Sequence, residues 1–314
     1  MCFELIPMPD YLLDPALEAY VASSGRFSPA NDSLAARRRA FAEACLYFTP
    51  VKPEGLSVED QQLKRLAVRL YRPTGSAPPD GWPTVLYLHG GGWNMGSHRT
   101  HDWFAYAMAK RLCVAIIAVD YRLAPEHPFP APLQDALNVW SALRAGYWPD
   151  LDADRLAVAG DSAGGTLAAG LCVALRDEGR LQPLLQALAY PVLSANSTFE
   201  SMKIHAHAPM LTTAGLMGSL AGYVPRPDDQ RNPQALALEL NDYRDLAPAF
   251  VGVAQFDPLV DQGRAYVRAL QAAGVPATLH VGEGLVHASL RASGVAQVED
   301  FFDAMASALR NALR

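Results

Sequence analysis

The sequence predicts an α/β protein, a mainly parallel, doubly wound sheet with a helical cap, on three observations. From residue 66 onward short apolar runs alternate with helix-patterned stretches, as in successive βαβ units. Two of those runs, Thr84–Leu88 and Cys113–Val119, are apolar throughout, as strands covered by helices on both faces are. Finally, a helical N-terminus precedes this alternation, and about sixty residues between Tyr190 and Phe250 interrupt it, too many for a structureless loop.

Each element has a local reason. Asp14-Pro15 places an N-cap before a proline at the first helical position and starts a short helix to about Tyr20. Ser33 caps a second helix, with Leu34, Phe41, Cys45 and Phe48 on one side and Arg37-Arg38-Arg39 mostly toward water. Leu66–Tyr71 alternates like a strand and is ended by Pro73, Gly75 and Pro78-Pro79. Further strands are expected at Leu156–Ala159, Leu185–Tyr190, Phe250–Ala254 and Ala277–Val281. Between them fall helices at Trp103–Arg111, Leu133–Leu143, Gly164–Arg176, Gln262–Ala272 and Val295–Leu313. The interruption contains one helical stretch, Leu211–Tyr223, and a Pro/Asp-rich loop at 225–229. The expected organisation is an N-terminal helical cap segment over residues 1–50 and a catalytic domain over 51–314, with a cap insertion at about 196–232.

Composition narrows the function. Half of the 314 residues are hydrophobic and 18% are charged, which suffices for a large core. A net charge of −6, from 26 basic and 32 acidic residues, gives no electrostatic footprint for nucleic acid. No apolar run approaches the roughly 20 residues of a membrane helix. Met1–Pro7 lacks both the basic and the apolar parts of a secretory signal, so a cytoplasmic protein without membrane attachment is expected. The cysteines at 2, 45, 113 and 172 form no Cys-x-x-Cys or zinc-finger spacing, and Cys113 and Cys172 are expected as buried, reduced thiols.

The chemistry gathers at the ends of the expected strands. Gly160-Asp161-Ser162-Ala163-Gly164-Gly165 fits G-x-S-x-G between a strand and an Ala-rich helix, the setting of a serine nucleophile on a sharp turn. The amides of that helix N-terminus point at any anion formed beside Ser162. His89-Gly90-Gly91-Gly92-Trp93, after the strand Thr84–Leu88, matches the glycine-rich loop whose amides serve an oxyanion hole. A phosphate-binding loop is the competing reading, but no Gly-Lys-Ser/Thr follows. His89 itself is expected to hold its loop by hydrogen bonds.

A serine nucleophile on this architecture needs a carboxylate and then a histidine downstream. Gln255-Phe256-Asp257 ends one strand, and Gly282-Glu283-Gly284-Leu285-Val286-His287 follows the next. Asp257 is favoured over Asp261, which has the position of a helix-start residue. Other histidines compete less well. His280 lies within a strand. His205 and His207 could pair on a metal but have no third ligand nearby. His98, His101 and Asp102 are expected in a hydrogen-bonded loop, and His127 as structural.

On these residues the chain resembles the bacterial hormone-sensitive-lipase-like esterases of the α/β-hydrolase superfamily. The resemblance rests on His89–Trp93, Asp120-Tyr-Arg-Leu-Ala-Pro-Glu-His-Pro-Phe-Pro130, Gly160–Gly165 and Asp257-Pro-Leu, and covers roughly residues 60 to 314. It implies hydrolysis of short-to-medium acyl esters with no cofactor and no metal. It also implies Ser162, Asp257 and His287 as a catalytic triad, and the amides of Gly91, Gly92 and Ala163 as oxyanion donors. The expected partner is a small-molecule ester, and a homodimer is the one macromolecular association left open. Two departures bear on the acyl or alcohol pocket: Thr166 stands where the family often has asparagine, and Ala288-Ser289 where it often has Gly-Phe. An amidase or lactone hydrolase with the same triad remains an alternative, and a non-catalytic small-ligand receptor on this fold a more remote one.

Overall fold

The structure is a computed structural model that describes residues 11–314; Cys2 lies outside them. Two helices come first, α1 (Pro15–Ser24) and α2 (Leu34–Phe48), linked by a 3-10 turn at Gly25–Phe27. Asp14 caps α1 by accepting from the Ala16 amide at 2.8 Å, and Ser33 caps α2 through the Ala36 amide at 3.2 Å. The α2 stripe that packs closely is Ala36, Ala40, Ala44 and Cys45. Of the expected face Leu34, Phe41, Cys45 and Phe48, Cys45 is buried while the other three are half-buried, Phe41 fronting a cavity that Ala40 and Ala44 also line.

The sheet then builds up in chain order. Strands β1 (Leu56–Leu63), β2 (Leu66–Pro73) and β3 (Trp82–Leu88) precede helix α3 (Asp102–Ala109). Next come β4 (Ala115–Val119), α4 (Ala131–Arg144), β5 (Leu151–Asp161), α5 (Ala163–Asp177) and β6 (Gln186–Ala189). Three helices fill the interruption: α6 (Glu200–Ile204), α7 (Thr213–Tyr223) and α8 (Pro227–Gln230). The chain closes with β7 (Ala249–Phe256), α9 (Val260–Ala272), β8 (Ala277–Val286) and α10 (Ala296–Ala312).

The eight strands form one sheet in the order β1-β2-β4-β3-β5-β6-β7-β8. Only β2 runs against its neighbours, and every pairing from β4 to β8 is parallel. The alternation of side chains across the pleat divides the core in two. Leu86, Leu88, Ile117 and Val119 join the layer containing α4, α5 and α9. Val85, Tyr87, Ile116 and Ala118 join the layer containing α3 and α10, where α1 also buries Leu17 and Tyr20.

Several expectations are corrected. Strand β1 was not foreseen, and β5 is longer than Leu156–Ala159. α6 was missed, and α8 starts at Pro227 inside the segment expected to be a loop. Cys113 is exposed, because β4 begins only at Ala115 and Cys113 sits in the turn before it. Among the described residues no helix is long and apolar enough to cross a membrane.

Candidate active site

Parallel strands present their C-terminal ends along one edge of the sheet, and four of those ends build the site. β5 ends at Asp161, and Ser162 turns the chain into α5 with φ 53° and ψ −120°. Such a backbone is costly for a residue with a Cβ and persists only where its surroundings impose it. Here they do: the Ser162 amide donates to the Ala189 carbonyl at 2.8 Å, and the Ser162 carbonyl accepts from the Thr166 amide at 3.1 Å.

The flanking glycines are fixed by contact. A Cβ on Gly160 would overlap the Gly164 carbonyl, and one on Gly164 would overlap the Leu88 carbonyl at the end of β3. Both bodies are backbone, so neither gives way by changing rotamer. Gly164→Ala is therefore expected to cost at least about 2 kcal/mol of stability by overpacking. It should also lower kcat more than tenfold, since it wedges α5 away from the loop after β3. Urea unfolding and ester turnover check this, and a wild-type midpoint in urea would refute the contact.

That loop, residues 89–93, is stitched to the serine turn. Asp161 Oδ1 accepts from the Gly90 amide at 2.9 Å and from Tyr87 Oη at 2.6 Å. Gly91, Gly92 and Trp93 all take positive φ, at 119°, 58° and 58°. The amides of Gly91, Gly92 and Ala163 find no acceptor among the described residues, leaving three N–H donors beside Ser162. His89 is buried, stacked on Tyr121 at 4.2 Å, with Nδ1 2.8 Å from the Gly90 carbonyl. Burial pulls its pKa down to about 4, so it stays a neutral hydrogen-bonding ring. His101 is driven the same way by burial and lies with its Nε2 3.7 Å from Asp161.

The other two strand ends supply a carboxylate and an imidazole. Asp257 follows β7 and is fully buried; its Oδ1 accepts from the Leu259 amide at 2.9 Å. Its Oδ2 lies 2.7 Å from His287 Nδ1, and His287 Nε2 lies 2.9 Å from Ser162 Oγ. The Nδ1 proton therefore faces the carboxylate and the free Nε2 lone pair faces the hydroxyl, the arrangement a general base needs. Tyr190, also positive in φ, packs its ring 4.6 Å from His287. Asp261 is a first-turn residue of α9, where Oδ2 accepts from the Ser201 amide of α6 at 2.9 Å and so anchors the interruption to the sheet.

The remaining sequence candidates lie elsewhere. Asp102 accepts from Arg69, Tyr71 and Tyr106. His98 lies with Nδ1 3.2 Å from Asp120, and His280 of β8 stacks on Phe250 of β7. His205 comes within 3.4 Å of Tyr11 Oη, and His127 is exposed. Among the described residues no three His, Cys, Asp or Glu side chains group as metal ligands. Of the two departures, Thr166 is buried and donates to the Val192 carbonyl at 2.6 Å, while Ala288 lines the cavity.

Ser162 and His287 open into a cavity of about 380 Å³. Phe27 and Phe41 from the N-terminal segment, Leu211 and Leu216 from the interruption, and Trp93 all line it. Trp93 is held flat against Tyr223, their ring centroids 4.4 Å apart. One wall residue was not anticipated from sequence: Arg291, four positions past His287, is buried within this lining.

Comparison with known proteins agrees with this geometry. The alpha/beta hydrolase fold family matches residues 85–291. Carboxylesterase NlhH of Mycobacterium tuberculosis is 40% identical over 235 residues, 72% of this chain and 71% of that protein. Ethyl acetate hydrolase of Pseudomonas putida is 35% identical over 302 residues, 92% of this chain and 95% of that protein. In solved structures, an esterase from the bacterial hormone-sensitive lipase family superposes with a TM-score of 0.85 at 28% identity, covering 96% of this chain and 99% of that one. The chain belongs to the α/β-hydrolase family, in its hormone-sensitive-lipase-like branch of esterases.

Proposed function

We propose that this protein is a serine carboxylic ester hydrolase for short-to-medium acyl esters, with Ser162 as nucleophile. The observation that carries the reading is the continuous hydrogen-bond chain from Asp257 through His287 to Ser162, opening on a cavity of small-molecule size. His287 takes the Ser162 proton as Oγ attacks the ester carbonyl, and Asp257 fixes the imidazole tautomer and stabilises its cation. The carbonyl oxygen becomes an oxyanion, for which the acceptor-free amides of Gly91, Gly92 and Ala163 are the donors. His287 then gives its proton to the departing alkoxide. Water, deprotonated by the same histidine, attacks the acyl-enzyme and regenerates Ser162.

The N-terminal helices and the segment at about 196–232 are the cap in this reading, since both contribute walls of the cavity. A walled cavity is finite. Each methylene it covers gains about 0.8 kcal/mol, roughly fourfold in kcat/KM, until the space is full. The expected profile for p-nitrophenyl esters rises from acetyl to an optimum at about C4 to C6 and falls by C12, with no jump when substrate forms an emulsion. A rate climbing through C16 would overturn it. Parallel assay of matched anilides and lactones separates the ester reading from an amidase or lactonase.

A further inference from the structure

Arg291 lines the cavity and takes no part in ester hydrolysis. It ends the 3-10 turn Ser289–Arg291 directly after the catalytic histidine and is only 9% exposed. A guanidinium stays charged in proteins, and a buried one needs counter-charge or acceptors for its five N–H donors. What it has is meagre. Nη1 reaches the Cys45 thiol at 3.6 Å, a weak acceptor, the neutral phenol of Tyr20 lies close by, and the group sits 5.5 Å from the centroid of the Phe41 ring. Among the described residues no Asp or Glu oxygen lies within 4.0 Å of it.

Its neighbours in the cavity wall are also donors without acceptors. Trp103 Nε1 and Tyr190 Oη are buried, line the same cavity and have no hydrogen-bond partner. The one carboxylate of the lining, Asp161, already spends Oδ1 on Tyr87 and Gly90. At the mouth, exposed Arg37 adds a second cation. A mostly apolar pocket whose wall holds a buried guanidinium with no carboxylate in contact suits a guest carrying an anionic acceptor.

Resting on the esterase reading, we propose that the preferred substrates are esters that also bear a free carboxylate, and that Arg291 seats that carboxylate while Ser162 attacks the ester. Two sources share this chemistry: monoesters of short dicarboxylic acids, with the carboxylate on the acyl side, and acyl esters of short hydroxy acids, with it on the alcohol side. Arg37 draws either one toward the mouth.

The test compares kcat/KM for monoethyl succinate, glutarate and adipate with their diethyl esters, and acetyl esters of short hydroxy acids with the corresponding methyl-capped diesters. The wild type should favour the best carboxylate-bearing substrate over its uncharged partner at least about tenfold. Arg291→Met should lower that ratio at least about tenfold, and Arg291→Lys should retain part of it. Because the readout is a ratio within one preparation, it is insensitive to the fraction of folded enzyme. A wild-type ratio at or below one overturns the proposal while ester turnover upholds the esterase reading, as does a ratio unmoved in Arg291→Met. Should Arg291→Met fail to fold, the wild-type and Arg291→Lys ratios decide. Absence of turnover on every ester overturns both.

Discussion

Ser162→Ala is expected to melt with the wild type and to hydrolyse p-nitrophenyl butanoate at least about 10⁴-fold more slowly, the scale of loss seen when a triad serine is removed. The two halves of this expectation have separate causes. The hydroxyl makes a single side-chain hydrogen bond, 2.9 Å to His287 Nε2, and although Ser162 stands at the N-cap position of α5 its side chain makes no capping bond. Its strained backbone is held by the Ala189 carbonyl and the Thr166 amide, and alanine has the same Cβ and keeps both bonds. Stability should therefore move by less than about 0.5 kcal/mol. Chemistry, by contrast, loses the atom that bonds to the acyl group. A urea or thermal melt with parallel turnover distinguishes the outcomes, and retention of a tenth of the activity would remove Ser162 from the nucleophile role.

How far such a site can be seen in a sequence depends on what each residue is doing there. Ser162 was legible because its turn admits few residues: Gly160 and Gly164 touch backbone, and that requirement leaves a five-residue signature. Asp257 and His287 carry no such signature. They were found because each follows an apolar run that ends a strand, so strand order did the locating. Strand β1 escaped because it is an edge strand of mixed burial, and Glu59-Asp60-Gln61-Gln62 masks its period of two. The five-residue α6 is too short for a helical period to register and is held by Asp261, far away in sequence. Arg291 was invisible for a different reason. Nothing local distinguishes a buried arginine from a solvated one, and its burial follows from α2 placing Phe41 and Cys45 over it.

Asp257→Asn should reduce kcat by about 10⁴, while Asp261→Asn, four residues on, should leave it within about threefold. The buried surroundings of Asp257 dictate the first result. One carboxylate oxygen accepts from the Leu259 amide and the other faces His287 Nδ1. In the asparagine variant only one oxygen remains, and the Leu259 N–H claims it, because turning the amide group over would set two donors against each other in a site with no water-exposed surface. The side-chain NH₂ then points at Nδ1, which must accept, and the imidazole proton moves to Nε2. An Nε2–H facing Ser162 cannot take the serine proton, so the nucleophile is never activated even though every heavy atom stays in place. Asp261 faces no such choice. It is half-buried, its Oδ2 accepts from the Ser201 amide at 2.9 Å, and an asparagine carbonyl serves there equally well. The change costs mainly the attraction to Arg264 and to the positive end of α9, about 1 kcal/mol or less. Measuring kcat and the unfolding midpoint for both variants separates the roles. A slower Asp261→Asn enzyme would move the acid four residues along the chain, and an active Asp257→Asn enzyme would show that the buried carboxylate does not set the tautomer.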